Sequence, residues 1–127
     1  MNSIHASQDG MNSVLVPGVV MKEILASELA RRLAAGEPVY LIDVREPWEH
    51  EVVTLPNSKL LPMGYLHAHA SEIQPPEGAL VVAYCHHGIR SLSAAALLEH
   101  LGIAPVYSLA GGIDAWSREI DPNLPRY

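Results

Sequence analysis

Short, continuous apolar runs that end in polar or charged residues alternate along this chain with segments of helical periodicity. The apolar runs cover residues 39–44, 79–84 and 106–109. A run of this kind is typical of a strand buried on both faces, as in a parallel sheet that is covered by helices. The helical segments cover residues 28–35, 91–101 and 113–119. The sequence therefore predicts an α/β domain with a mostly parallel sheet and helices on both faces.

Capping and turn residues mark the ends of the smaller elements. We expect Ser27 to cap the first helix and Gly36 to follow its last turn. Pro47 fits the first turn of a short helix. A brief strand is predicted at residues 59–61 and a further helix at residues 64–72, before a proline-rich turn.

The chain is long enough for one domain with its own core. It has 127 residues, of which 49% are hydrophobic and 17% charged, a balance that indicates a globular protein. Residues 1–17 carry Ser, Asn, Gln and Asp and are predicted to form a loose leader, followed by a single domain over residues 18–127. The stretch from Met11 repeats the Met-Asn-Ser of residues 1–3, so a true start at Met11 is a second interpretation of the leader.

The charge and hydropathy of the chain exclude several kinds of partner. Acidic residues outnumber basic ones by 14 to 8, which gives a formal charge of −6. This sign argues against nucleic acid or an anionic membrane surface as the main partner. No apolar run approaches the roughly 20 residues that span a bilayer, and residues 1–10 lack the features of a signal peptide. We therefore expect a cytoplasmic protein with no nucleic-acid and no membrane partner.

Cys85, the one cysteine of the chain, lies where the apolar run 79–84 gives way to a polar loop and then a helix. Open α/β sheets bind ligands at the carboxyl ends of their strands, so this position favours a functional role. If the loop curls around the sulfur, its backbone N–H groups and the start of the next helix stabilise a thiolate, a persulfide or a bound oxyanion. Arg90, and His86 or His87 if protonated, would add positive charge. An unreactive, buried cysteine is the alternative interpretation.

Four segments of the chain follow one another in a pattern that is known from other proteins. In residues 85–91, CHHGIRS, a cysteine and an arginine delimit a six-residue loop. Residues 41–46 read LIDVRE, residues 55–63 contain LPNS followed by LPM, and residues 109–116 read LAGGIDAW. In this order and spacing the segments resemble the rhodanese (sulfurtransferase) family, and the resemblance to its single-domain members runs from about residue 20 to the end.

The resemblance implies a fold and a reaction. The fold is a five-stranded, mostly parallel sheet flanked by helices on both faces. In the reaction, the Cys85 thiolate takes a sulfane sulfur from a donor such as thiosulfate or a persulfide, and the resulting persulfide passes it to cyanide, a thiol or a protein acceptor. Cys85 is then the catalytic nucleophile, and no cofactor or metal is implied. The substrate-binding loop consists of His86, His87, Gly88, Ile89 and Arg90.

Two departures from the family pattern affect this expectation. The second block of the family commonly carries Gly-His before Ile-Pro-Gly-Ala, whereas here Val-Val-Thr at residues 52–54 precedes Leu-Pro-Asn-Ser. This change makes the neighbouring loop hard to predict. In members that use thiosulfate an arginine often follows the cysteine, and here that residue is His86. Less fixed charge weakens the binding of a dianion, which leaves thiosulfate open as the natural donor.

Functions other than sulfur transfer are also compatible with a cysteine loop. Cysteine phosphatases and arsenate reductases use a related cysteine loop, but the phosphatases have five residues between cysteine and arginine. Only four residues separate Cys85 from Arg90, a spacing that suits one sulfur atom better than a tetrahedral phosphate. A persulfide carrier or a regulatory sulfur-binding module for a protein partner remains an open alternative.

The remaining polar and aromatic candidates have structural interpretations. Asp43 and Arg45 follow a predicted strand and are expected to form an ion pair that pins the turn. A position of Asp43 in the active site is less favourable, because a carboxylate beside the Cys85 thiolate would disfavour the thiolate. Trp116 is expected to pack against the core. His67 and His69 are spaced for opposite faces of a helix, so they do not suggest a metal site.

Overall fold

The structure, a computed structural model, describes residues 3–6, 10–16, 19–103 and 105–127, and for residues 3–6, 14–16 and 19 it describes the backbone alone. The strands are β1 (Ser3–Ala6), β2 (Met11–Val16), β3 (Val19–Ile24), β4 (Val39–Asp43), β5 (Lys59–Leu60), β6 (Leu80–Tyr84) and β7 (Val106–Leu109). The α-helices are α1 (Ala26–Ala34), α2 (Pro47–Val52), α3 (Leu66–His69), α4 (Ile89–His100) and α5 (Gly112–Glu119). None of the helices among the described residues is long and apolar enough to cross a bilayer.

The strands of the described residues form one sheet in the order β1-β2-β3-β7-β6-β4-β5. The five strands from β3 to β5 run parallel to one another, whereas β1 and β2 pair antiparallel. The predicted α/β class with a mostly parallel sheet is therefore confirmed. The predicted number of five strands is wrong by two, because an antiparallel hairpin extends the parallel sheet at the β3 edge.

The two additional strands lie in the segment that was expected to be a loose leader. Residues 3–6 and 11–16 are extended and paired there, and Val16 of β2 stands opposite Val19 of β3. The polar residues that precede Val14 suggested a leader, but Val14, Leu15 and Val16 form an apolar run of high strand propensity that pairs with β3. Residues 1, 2, 7–9, 17 and 18 lie outside the described part of this segment. The domain boundary near residue 17 and a start at Met11 stay predictions.

Helix ends follow the capping signals in part. Gly36 follows α1 with a φ of 75°, and Pro47 is the first residue of α2, as predicted. Ser27 does not cap α1, which begins two residues earlier than predicted, at Ala26, with Leu25 at the N-cap position. The reason is a backbone hydrogen bond from the Leu29 N–H to the Leu25 carbonyl at 3.0 Å, which already closes the first turn.

Residues 64–72, predicted as one helix, form α3 with a 3₁₀ turn on either side, at Met63–Tyr65 and Ala70–Glu72. The segment contains glycine, serine and two histidines, all of which are weak helix formers. In α3 the buried residue is Leu66, so a single side chain anchors this helix to the core. The predicted long helix is wrong because little packing energy supports it.

Alternating side chains of β6 point to the two faces of the sheet. Val81, Ala83 and Cys85 belong to one buried cluster, and Val82 and Tyr84 belong to the other. Both faces are therefore covered, as the continuous apolar run predicted. Cys85 continues this alternation one residue beyond the strand, so its side chain enters the first cluster.

The helices complete the two layers of the core. Leu66 of α3 and Leu98 of α4 pack in the cluster that contains Cys85. Leu29 of α1 and Trp116 of α5 pack in the opposite cluster. The predictions of helices on both faces and of a core position for Trp116, which is 8% exposed, are thus confirmed.

Candidate active site

The loop between β6 and α4 closes around the sulfur of Cys85, whose side chain is buried. The backbone N–H groups of Gly88 and Ser91 donate to Sγ at distances of 3.1 and 3.3 Å. The Ser91 hydroxyl oxygen lies 3.3 Å from the same sulfur. Because Ser91 is in the first turn of α4, the positive end of the helix dipole also faces Sγ. This convergence of polar groups stabilises a thiolate.

The loop takes this shape because its carbonyl groups are held from the opposite side by α5. The carbonyls of Cys85 and His86 accept hydrogen bonds from the N–H groups of Ile113 and Asp114, at 2.9 and 3.0 Å. Gly112 allows this approach, since a Cβ there would overlap both carbonyl oxygens. With these carbonyls turned towards α5, the N–H groups further along the loop are left to point at the sulfur.

Gly88 turns the chain from the loop into α4. Its φ is 93°, a conformation that side chains rarely adopt. A Cβ at this position would also lie 2.9 Å from the backbone nitrogen of Gly111 and 3.1 Å from the carbonyl oxygen of Leu109. Only glycine therefore fits here, and its N–H is one of the two that reach the sulfur.

A pair of buried serines adjoins the sulfur. The hydroxyl oxygens of Ser91 and Ser108 are 2.7 Å apart, and the Gly88 carbonyl, 3.4 Å from the Ser108 hydroxyl, accepts the Ser108 proton whenever Ser91 is the donor of the pair. Either serine can be the donor in the short contact. The Ser91 hydroxyl can thus accept from a thiol or donate to a thiolate, since Ser108 takes the complementary role.

The charge of Arg90 is compensated within the site. Its Nη1 and Nη2 atoms donate to the two carboxylate oxygens of Glu49 at 2.7 and 2.9 Å. The Arg90 hydrogen bond is the main cause that lowers the pKa of Glu49 to about 2, against the opposing effect of burial. The expectation that Arg90 adds positive charge to the loop therefore needs correction, because an ionised carboxylate accompanies it.

Tyr127 connects this ion pair to the rest of the site. Its hydroxyl donates to Glu49 Oε2 at 2.7 Å and accepts from Arg45 Nη1 at 2.8 Å. Its ring stacks on His86 with a centroid distance of 3.8 Å and an interplanar angle of 9°, and Trp48 contacts it edge-on at 5.8 Å. Burial, as the largest cause, raises the pKa of Tyr127 to about 12, so the hydroxyl is a neutral donor at physiological pH.

The two loop histidines are stacked on each other. The His86 ring lies between that of His87, at 3.9 Å, and that of Tyr127. Burial, and to a smaller extent the charge of His87, lowers the pKa of His86 below its usual value of 6.5. His86 is consequently neutral at pH 7, whereas the His87 side chain is exposed.

The turn after β4 is fixed by the predicted ion pair. Arg45 Nε and Nη2 donate to the two oxygens of Asp43 at 2.8 and 2.7 Å, and both side chains are 0% exposed. Arg45 Nη2 also donates to the Val53 carbonyl at 2.6 Å. The prediction that this pair pins the turn is confirmed, and through Tyr127 the pair also supports Glu49.

Comparison with known proteins identifies the family to which the chain belongs. A protein-family model described as "Rhodanese-like domain" matches residues 25–119. This chain belongs to the rhodanese-like domain family. Among its relatives, a sulfurtransferase of Allochromatium vinosum is 40% identical over 99 residues, which cover 78% of this chain and 91% of that protein.

Two further proteins differ in how much of their length this chain matches. The probable adenylyltransferase/sulfurtransferase MoeZ of Mycobacterium tuberculosis is 32% identical over 104 residues, or 82% of this chain, and this chain spans only 26% of MoeZ. The solved structure of the human single-domain sulfurtransferase TSTD1 has a TM-score of 0.66 and 27% identity, covering 76% of this chain and 96% of TSTD1. The rhodanese-like fold is therefore found both as a separate protein and as part of a longer one.

The rhodanese-like domain brings the predicted site residues together at one end of β6. Gly88 supplies an N–H to the sulfur, Arg90 forms the ion pair, and Ile89, which is 78% exposed, begins α4. The predicted roles of nucleophile and substrate-binding loop stay predictions. They concern Cys85, His86, His87, Gly88, Ile89 and Arg90.

Three residues of the site were not found from the sequence. Ser108 carried a weak signal, since it is the polar residue of the otherwise apolar strand β7. Glu49 was visible only as a polar residue of the short helix α2. Nothing local to Tyr127 indicated its position, because its partners are distant in the sequence.

One cluster of potential metal ligands occurs among the described residues. His86, His87 and Asp114 each offer one ligand atom, and these atoms lie within 4.8 Å of one another. Both oxygens of Asp114 already accept hydrogen bonds from arginines, Arg118 on Oδ2 and Arg126 on Oδ1. Two cations beside the carboxylate oppose the binding of a third, so we assign no metal to the cluster.

Proposed function

We propose that this rhodanese-like domain transfers a sulfane sulfur from a donor to an acceptor through a persulfide on Cys85. The observation that carries the proposal is the convergence of the Gly88 N–H, the Ser91 N–H and the Ser91 hydroxyl on one buried sulfur. These groups stabilise negative charge on sulfur, which is required both for attack and for holding the persulfide product. Membership in a family with sulfurtransferase relatives supports the same conclusion.

The reaction divides into two displacements at sulfur. With thiosulfate as donor, the Cys85 thiolate attacks the sulfane sulfur, the sulfur–sulfur bond breaks, and its electron pair leaves with sulfite. An acceptor thiolate or cyanide then attacks the outer sulfur of the persulfide and restores the Cys85 thiolate. Because the chain has one cysteine, discharge must be to an external acceptor, either a small molecule or a protein. Such a thiol works in a reducing compartment, and we propose the cytoplasm.

The test measures sulfur on the intact protein. After incubation with thiosulfate or a persulfide donor, mass spectrometry should detect the addition of one sulfur atom, and cyanide should remove it as thiocyanate. Cys85→Ser should load no sulfur, whereas Ser93→Ala, a change at an exposed position of α4, should load like the wild type. Equal loading of Cys85→Ser would remove the nucleophile assignment. Loading without multiple turnovers would favour the persulfide carrier, and hydrolysis of p-nitrophenyl phosphate the phosphatase.

A second measurement tests the stabilised thiolate. Alkylation of Cys85 by iodoacetamide should proceed at a lower pH than that of free cysteine, because two N–H groups and a hydroxyl converge on the sulfur. Ser91→Ala removes the hydroxyl at 3.3 Å and should slow alkylation at neutral pH by about tenfold, the effect of one hydrogen bond to a charged group. A rate profile like that of free cysteine in the wild type would contradict the argument.

A further inference from the structure

The arginine of the loop is the cation that an anionic donor would meet, and it is already neutralised. Arg90 precedes Ser91, whose N–H contacts the sulfur, and the pKa of Arg90 is raised chiefly by Glu49 and in part by Cys85. Both Nη atoms are bound to Glu49, whose side chain is 4% exposed. A donor that binds Arg90 must therefore either displace a buried carboxylate or bind beside it.

The carboxylate of Glu49 is held by groups from three elements. Oε1 accepts from Arg90 Nη1 and from the Glu46 N–H, and Oε2 accepts from Arg90 Nη2 and from the Tyr127 hydroxyl. Arg45 Nη1 in turn donates to Tyr127, so the tyrosine hydroxyl is oriented with its proton towards Glu49. These contacts hold the carboxylate beside Arg90.

The other charged groups near the loop are either paired within the protein or exposed to solvent, and the His87 ring that stacks on His86 is exposed as well. His86 is neutral at pH 7, and Arg45 is paired with Asp43. Arg118 and Arg126 both bind Asp114 and are 48% and 57% exposed, so solvent screens them. The loop therefore offers backbone N–H groups to a single sulfur atom. It has little net positive charge with which to attract a dianion.

We propose that Glu49, held in place by Tyr127, is a specificity-determining residue that neutralises Arg90 and selects sulfur donors of low charge over dianionic thiosulfate. This inference rests on the proposed sulfur transfer at Cys85. The selected class consists of monoanions that carry a sulfane sulfur, such as alkyl persulfides and thiosulfonates. Tyr127 acts as a positioning residue through Glu49.

Two donors with the same reacting group isolate the effect of charge. Thiosulfate is a dianion, and methanethiosulfonate is a monoanion in which a methyl group replaces one oxygen. In both, the Cys85 thiolate attacks the sulfane sulfur, the sulfur–sulfur bond breaks, and the electron pair leaves with sulfite or methanesulfinate. The measured quantity is the ratio of kcat/KM for thiosulfate to that for methanethiosulfonate, with cyanide as acceptor. This ratio is independent of the fraction of active protein.

Glu49→Gln keeps the shape of the side chain and removes its charge, and it should raise the ratio roughly tenfold, as expected for one charge a few Å from the donor. Tyr127→Phe keeps the ring on His86 and removes the hydroxyl, and it should raise the ratio roughly two- to tenfold, the effect of one hydrogen bond. The matched control is Glu51→Gln, which removes an exposed charge from the same helix and should leave the ratio unchanged.

The outcomes separate this inference from the proposed function. Absence of cyanide-labile sulfur on Cys85 with every donor would remove the proposed function itself. Normal sulfur transfer with the same donor ratio in the wild type, Glu49→Gln and Tyr127→Phe would overturn the inference alone. An equal rise in Glu51→Gln would also overturn it, since the effect would then belong to the overall charge of the protein.

Discussion

Replacing Gly112 with alanine tests the contact that shapes the sulfur-binding loop. Gly112 has a φ of 63°, where alanine costs about 1 kcal/mol relative to glycine. The new Cβ would overlap the carbonyl oxygens of Cys85 and His86, so these groups must move away from α5. The hydrogen bonds from Ile113 and Asp114, at 2.9 and 3.0 Å, would then weaken at a cost of about 1 kcal/mol each. We expect a total loss of about 3 kcal/mol.

Gly36→Ala is the matched control for this experiment. Gly36 also has a positive φ, 75°, but a Cβ there would meet nothing within 4 Å, so only about 1 kcal/mol should be lost. Urea unfolding measures both losses, and alkylation of Cys85 in the native protein reports on the loop. Equal losses in the two variants would refute the overlap argument. An unchanged alkylation rate in a destabilised Gly112→Ala protein would refute the link between α5 and the sulfur.

Two further predictions concern the charged groups that support the site. Arg45→Leu leaves the carboxylate of Asp43 buried without its partner and should cost about 3–5 kcal/mol in urea unfolding; a loss below about 1 kcal/mol would contradict the structural role of the pair. The pKa of Glu49 is lowered from 4.5 to about 2 on folding, so its stabilising contribution is complete above about pH 4.5 and is lost as the pH falls towards 2. Stability measured across this range should fall less steeply in Glu49→Gln, and an equally steep fall would show that other groups control it.

The parallel sheet could be predicted from the sequence because its signals are local. Leu80–Tyr84 and Val39–Asp43 are buried on both faces, and such strands read as continuous apolar runs. The loop around Cys85 was predicted for a related reason, since a glycine and an arginine follow the cysteine at fixed spacing. The N-terminal hairpin was missed because the polar residues before Val14 outweighed a short apolar run.

The electrostatics of the site could not be predicted, because they depend on residues far apart in the chain. Arg90 and Glu49 are separated by 41 positions, and Tyr127 and Glu49 by 78. Neither periodicity nor capping carries information over such distances. For the glycine pair at residues 111–112, the important property is the close approach of two backbones at Gly112, which only the three-dimensional structure reveals.

The contacts of Tyr127 have a consequence for the order of folding. They join Tyr127 to Arg45 and Glu49 across sequence separations of 82 and 78 residues. Closing loops of this length costs conformational entropy that is recovered only after the sheet has formed. Local opening of the C-terminal segment also requires less free energy than unfolding of the sheet. We therefore expect the contacts of Tyr127 with Arg45 and Glu49 to form last and to open first, while Cys85 remains enclosed by α4 and α5.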